Sequence, residues 1–146
     1  MQILASKDRK ARKEHRCDFC GETIKKGEVY DWSKLIEGGT LYEWKSHEKC
    51  DFLCSQLWDY AGHPDEGMGE ELFRDSLHSF SQAFVCPDCE KWDRKCQCCD
   101  DDLEYCIDKA YDLLQTHTLC RTGLTAWWEN WALRPRTAEE RKAISK

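Results

Sequence analysis

Cys17 and Cys20 stand three positions apart, and His47 and Cys50 repeat that spacing after twenty-six intervening residues. Thiolate and imidazole are soft or borderline donors, and two of them three apart on a tight knuckle can occupy one edge of a tetrahedron. Gly21 lets the chain turn away from Cys20, since glycine tolerates backbone angles that other residues avoid. Four protein donors close a tetrahedral site, so a Zn²⁺ held by Cys17, Cys20, His47 and Cys50 is expected to be structural rather than catalytic. The alternative is four ordinary reduced side chains. A histidine in the set favours zinc over an iron–sulfur cluster.

A second cluster follows in Cys86-Pro-Asp-Cys89 and Cys96-Gln-Cys98-Cys99, with Cys106 beyond it. The pairs Cys86/Cys89 and Cys96/Cys99 are separated by six residues and make a compact four-thiolate set for a second structural Zn²⁺. Cys98 or Cys106 can stand in for one member, and unmetallated cysteines are the plain alternative. Cys54, one helical turn after Cys50, and Cys106, beside Ile107, read as core residues. Cys120 has no partner in the pattern. His15, His63, His78 and His117 are scattered and read as ordinary residues. No phosphate loop, dinucleotide fingerprint, metalloprotease helix or serine-hydrolase elbow is present, so the expectation is that this is not an enzyme.

The elements that position these residues can be read from periodicity. After the knuckle, Val29, Tyr30, Trp32, Leu41, Tyr42 and Trp44 mark a glycine-interrupted β region. A helix from about Ser46 carries Leu53, Leu57 and Tyr60, and Gly62 and Pro64 end it. A second helix over about 70–84 aligns Phe73, Leu77, Phe80 and Phe84. A third over about 102–116 aligns Leu103, Ile107, Ala110 and Leu114 behind an acidic start. A fourth is expected over about 122–133 from Leu124, Trp127, Trp128 and Trp131. Those rings close the core, with one left as a partner anchor. Thr137 and Glu140 have the spacing of a capping box for a short last helix. The resulting organisation is a basic arm (1–16), a finger (17–61), a linker (62–69), a helical unit with the cysteine-rich knuckle (70–133) and a basic tail (134–146). The expected fold class is α+β, mostly helical.

The string RCDFCGETIKKGEVY…EWKSHEKC resembles the treble-clef zinc fingers of the LIM and PARP types over about residues 14–58. Those share a C-x2-C start, an Ile and a Gly-Glu a few residues on, and an aromatic shortly before H-x2-C. Small bacterial and phage proteins carry the same C-x2-C-G-x2-I-x2-G-E-x-Y pattern. The resemblance implies a knuckle, a β-hairpin and a helix N-terminus around one zinc, and for the PARP type an association with broken DNA ends. A LIM domain continues with a second C-x2-C directly after its fourth ligand; this chain has Cys54 there instead.

Eleven cysteines in 146 residues would suit a disulfide scaffold, but the number is odd and the spacing is that of metal pairs. No stretch approaches the ~20 apolar residues of a membrane helix, and MQILASKDRKARKEHR turns basic too early for an export signal. The expected setting is a reducing cytoplasm, without membrane association. The net charge of −6 is unevenly spread. Residues 7–16 carry six Lys/Arg against two acids and residues 134–146 carry five against two, so removing +4 and +3 from the total leaves −13 on residues 17–133. These features point to a non-enzymatic zinc-binding regulatory protein that presents an acidic surface to a protein partner, as a phage or mobile-element modulator of a host protein would. The alternative is nucleic-acid binding through residues 7–16. Oligomeric state is not legible.

Overall fold

The computed structural model describes residues 2–62, 64, 67–85, 103–124 and 129–144. Strand β1 (Gln2–Lys10) leads to two short strands, β2 (His15–Arg16) and β3 (Thr23–Ile24), which pair with each other across the knuckle. Strands β4 (Val29–Glu37) and β5 (Thr40–His47) form a hairpin. Gly38 and Gly39 both have positive φ, +57° and +82°, the requirement of a two-residue turn whose twist matches that of the strands. Helix α1 (Glu48–Gln56) follows directly, and α2 (Glu70–Phe80) runs into a π-helical turn at Ser81–Val85. Then come α3 (Leu103–Thr116), a hairpin of β6 (His117–Leu124) and β7 (Glu129–Pro135), and α4 (Ala138–Ile144).

Two expectations are corrected. The fold is α+β but not mostly helical: among the described residues four α-helices share the chain with three small sheets. The described residues of the helix expected over 122–133, 122–124 and 129–133, instead belong to two antiparallel strands, in which Leu119 faces Leu133 and Arg121 faces Trp131. Spacings of three and four among Leu124, Trp127, Trp128 and Trp131 imitate a helix. Thr118 and Thr122, with the large Trp131, prefer a pleated surface, and Gly123 disfavours a helix interior. Trp131 packs edge-on against Tyr60 at 5.6 Å, while Trp127 and Trp128 lie outside the described residues.

Residues 2–10, expected as part of a basic arm, form the outer strand of a three-stranded sheet ordered β1-β4-β5. The strand has no apolar alternation to announce it. Its Lys7 and Arg9 lay long side chains over the buried Trp32 from the solvent side, with the Arg9 guanidinium 3.9 Å from the ring centroid.

Buried residues of the segment 17–61 (Phe19, Ile24, Leu53, Leu57) and of the segment after it (Phe73, Leu77, Phe80, Ile107, Leu114) belong to one continuous core. Arg136 closes that core at the C-terminal end, donating through Nε to the Leu114 carbonyl oxygen at 2.9 Å and through Nη2 to Gln56 Oε1 at 2.6 Å. The capping box forms beside it: Thr137 N–H donates to Glu140 Oε1 at 3.0 Å and Glu140 N–H to Thr137 Oγ1 at 3.2 Å. Among the described residues no helix is long and apolar enough to cross a membrane.

Where β1, β4 and α1 meet, Asp8 lies opposite Asp31 and both border one cleft with Asp51. Burial, then the hydrogen-bonded neighbour Asp8 and the charge of Asp51, push the Asp31 carboxyl up to about 8. A raised carboxyl contributes stability that is full below its ordinary value near ~3.9 and is lost as the pH rises through the raised one. Asp31→Asn is therefore expected to gain melting temperature over the parent protein as the pH is taken from 5 to 8. An equal gap at the two pH values would contradict the shared-proton account.

Candidate metal centre

The knuckle is shaped by local hydrogen bonds. Gly21 N–H donates to the Cys17 carbonyl oxygen and Cys17 N–H to that of Glu22, both at 2.9 Å, which folds both thiols to one side. Gly21 sits at φ +78°, the left-handed region. Asp18 ties the knuckle to β5 twice: its N–H donates to the Lys45 carbonyl oxygen at 2.7 Å, and its carboxylate accepts from Lys45 N–H at 2.8 Å. From α2, Arg74 donates to the Cys20 carbonyl oxygen at 2.7 Å. Between the two cysteines, Phe19 is buried against Trp44 and Phe73, with ring centroids 5.1 and 5.0 Å away.

The second pair comes from a junction. His47 is the last residue of β5 and the N-cap position of α1, and Cys50 lies in the helix's first turn. A strand that runs straight into a helix turns both side chains toward the knuckle. The donor atoms of Cys17, Cys20, His47 and Cys50 all lie within 4.8 Å of one another, with the three cysteines buried and the histidine half-buried. The Cys20 and Cys50 sulfurs are 3.4 and 3.8 Å from His47 Nδ1. Metal bonds of about 2.0–2.3 Å arranged tetrahedrally space their donors by roughly 3.6–3.8 Å, so the site fits a metal ion.

The imidazole is oriented from behind. His47 Nε2 lies 3.1 Å from the Thr23 carbonyl oxygen, and the Glu28 carboxylate is 3.9 Å away. A proton on Nε2 donated to Thr23 leaves the Nδ1 lone pair facing the thiols, the arrangement expected behind a metal-bound histidine. Protonation is frustrated among donors this close. Hydrogen bonds from Cys20, then Cys50, hold the Cys17 thiol far below its ordinary value, while hydrogen bonding to Cys17 and then Cys20 drives Cys50 far up. Hydrogen bonding to Cys17 raises His47 to about 10. A divalent ion removes the conflict by replacing those protons with one double charge, and it requires thiolates and neutral imidazole.

The structure thus brings together the four residues of the first set. Cys86, Cys89, Cys96 and Cys99, proposed for a second site, lie outside the described residues, as does Cys98. Cys106 is buried on α3. Cys54 is buried one turn beyond Cys50 and is not in the four-donor group; burial, with a smaller effect from Asp51, pushes its thiol up to about 12. Asp18, Thr23 and Arg74, which position the donor residues, are not visible in the sequence because every one of these contacts involves a backbone atom and none has a diagnostic spacing. The chain matches no family model, no curated protein and no solved structure.

Two predictions follow from this geometry. His47→Ala should lower the bound-metal count and the melting temperature together, whereas Cys54→Ala should keep the metal; native mass spectrometry and thermal melts read both, and a His47→Ala protein with full metal content would remove it from the ligand set. Gly21→Ala should cost about 1–2 kcal/mol from the left-handed backbone alone. Its Cβ would also come within 2.9 Å of Glu70 Oε1 and 3.0 Å of Arg16 Nη2, the ion pair that covers the knuckle. Chemical denaturation of the metal-loaded protein measures that cost.

Proposed function

We propose that the chain is a non-enzymatic zinc-binding interaction protein, built on a treble-clef finger and presenting an acidic surface to a protein partner. The succession of knuckle, hairpin and helix N-terminus around Cys17, Cys20, His47 and Cys50 supports the finger. Three thiolates with one imidazole support zinc as the ion. Four protein donors leave no coordination position for water or substrate, which favours a structural ion over a catalytic one. A second structural Zn²⁺ at Cys86, Cys89, Cys96 and Cys99 belongs to the same reading.

The observation that carries the partner reading is a cleft of about 460 Å³ between the finger and α3. Cys20, His47 and Cys50 form part of its wall. Five carboxylates line it, from Glu22, Glu28, Glu48, Glu104 and Asp108, against the two cations Lys25 and Lys49. One of those cations is already engaged, Lys49 with Asp108 at 2.8 Å. Three thiolates around Zn²⁺ add a further net −1 to the wall. Val29, Ile107 and Tyr111 supply apolar lining, so the cleft suits a basic protein segment with an apolar residue to bury.

The test is capture of partners from nuclease-treated lysate by the full metal-loaded chain, followed by binding kinetics at two salt concentrations. Glu48→Lys with Glu104→Lys is expected to slow association by about tenfold at low salt and by less at high salt, since peripheral charges act mainly on encounter. Glu48 also lies in the first turn of α1, where reversal costs about 0.3–1 kcal/mol, so the melt of the variant is compared first. Association indifferent to salt and to both substitutions would overturn the acidic-surface reading.

A further inference from the structure

We propose that residues 7–15 form a second, independent site: a rigid cationic cleft that binds the phosphate backbone of nucleic acid without reading its bases. The segment is pinned at both ends. Lys7–Lys10 pair in register with β4, Ala11 N–H donates to the Glu28 carbonyl oxygen and Gly27 N–H to that of Ala11, each at 2.8 Å, and His15 and Arg16 pair with β3. A cavity of about 820 Å³ opens over this framework, lined by the five cations Lys7, Arg9, Lys10, Arg12 and Lys13. His15 and Tyr30 complete the lining, and no carboxylate contributes to it.

In a chain of net charge −6, an acid-free concavity with five cations is set against the overall balance. Other cations are neutralised in place: Arg16 by Glu70, Lys49 by Asp108 and Arg134 by Glu140, each at 2.8 Å. Among the described residues, none of the five in the cleft forms an ion pair. Strand alternation produces this sorting. Lys7 and Arg9 face the Trp32 side of the sheet, while Asp8 between them joins Asp31 and Asp51 at a different cleft.

A dense row of unpaired cations on a fixed backbone is complementary to the regular charges of a phosphodiester chain. The aromatic residues explain why bases are not read. Tyr30 and Trp32 are only 4% and 7% exposed, and Arg9 and Lys7 lie over the Trp32 ring, so neither ring offers a free face for a base to stack on. Trp32 instead holds Lys7 and Arg9 in place, which lowers the cost of ordering those two against phosphate. Binding should be sequence-independent and steeply salt-dependent. Five phosphate contacts on duplex DNA give a slope of log K against log salt of about −4.5. This site shares no lining residue with the acidic cleft, so it stands or falls separately from the protein-partner reading.

The experiment is fluorescence anisotropy of the full metal-loaded chain with labelled 20-base-pair duplexes of two unrelated sequences, titrated from 50 to 200 mM salt. The charge-reversed variant Lys10→Glu/Arg12→Glu/Lys13→Glu is compared with a control of equal charge change, Lys26→Glu/Lys109→Glu/Lys142→Glu, after melts establish that both fold. The expected result is equal affinity for the two duplexes, at least tenfold weaker binding by the cleft variant than by the control at 50 mM salt, and a slope reduced to about −2. Equal losses in both variants would show that only net charge matters and would overturn the site. So would no measurable binding at 50 mM salt, a strong preference for one sequence, or binding of inorganic polyphosphate but not of either duplex. If melts show the triple variant unfolded, Arg12→Glu/Lys13→Glu before β2 is read in its place against Lys26→Glu/Lys109→Glu, with an expected slope of about −2.7 and the other criteria unchanged.

Discussion

The constraint on which the rest of this structure depends is the closure of two ligand pairs, twenty-six residues apart, around one point. Everything between Cys20 and His47 is a device for returning the chain to the knuckle at the right angle. The two-residue turn at Gly38–Gly39 sets the register of β4 against β5, and that register decides which face His47 occupies. A slip of one residue would turn His47 to the other side of the sheet and leave three sulfurs with no fourth donor. The backbone pairing of Asp18 with Lys45 guards against that slip, because it joins the knuckle to the strand two residues before the histidine. The helical segments take part as well: Arg74 holds the Cys20 carbonyl and Phe73 packs on Phe19, so the segment around the four donors and the chain after it share one core.

Electrostatics in this protein is organised by the pleat more than by the sum of charges. A run such as Lys7-Asp8-Arg9 has little net character along the chain, yet as a strand it delivers cations to one side and a carboxylate to the other. The same chain can therefore carry an acidic cleft beside its metal centre and a cationic one over Tyr30, each with a local field stronger than the average suggests. Under this reading the protein acts as an adaptor, with one surface for a basic protein segment and another for a phosphate backbone.

How much of this was legible in the sequence depended on whether the signal was local. The first ligand set was legible because thiol and imidazole at three-residue spacing have few other uses. Helices α1, α2 and α3 were legible because Leu53 and Leu57, Phe73 and Leu77, and Ile107 and Leu114 keep a helical period against a single core. Strand β1 was not, because its stabilising contacts are cations lying over an aromatic ring contributed by another strand. The β6–β7 hairpin was misread because tryptophan spacing alone does not distinguish a helix face from a strand, and its pairing partners lie beyond a local window. The positioning groups of the metal centre were invisible for a related reason: the Thr23 and Cys20 carbonyl oxygens are backbone atoms that any residue could provide.

Helix α1 is where these separate constraints meet. Cys50 contributes one of the four clustered donor atoms, and the next residue, Asp51, faces the carboxyls of Asp8 and Asp31. The two environments respond to acid in opposite directions. Protonation relieves the carboxyl cluster, since Asp31 already holds its proton up to about 8, whereas protonation of thiolates and imidazole releases a bound metal. At low pH the cluster favours the fold and the centre opposes it; at high pH the roles exchange. Both sets of groups meet at the first turn of one helix.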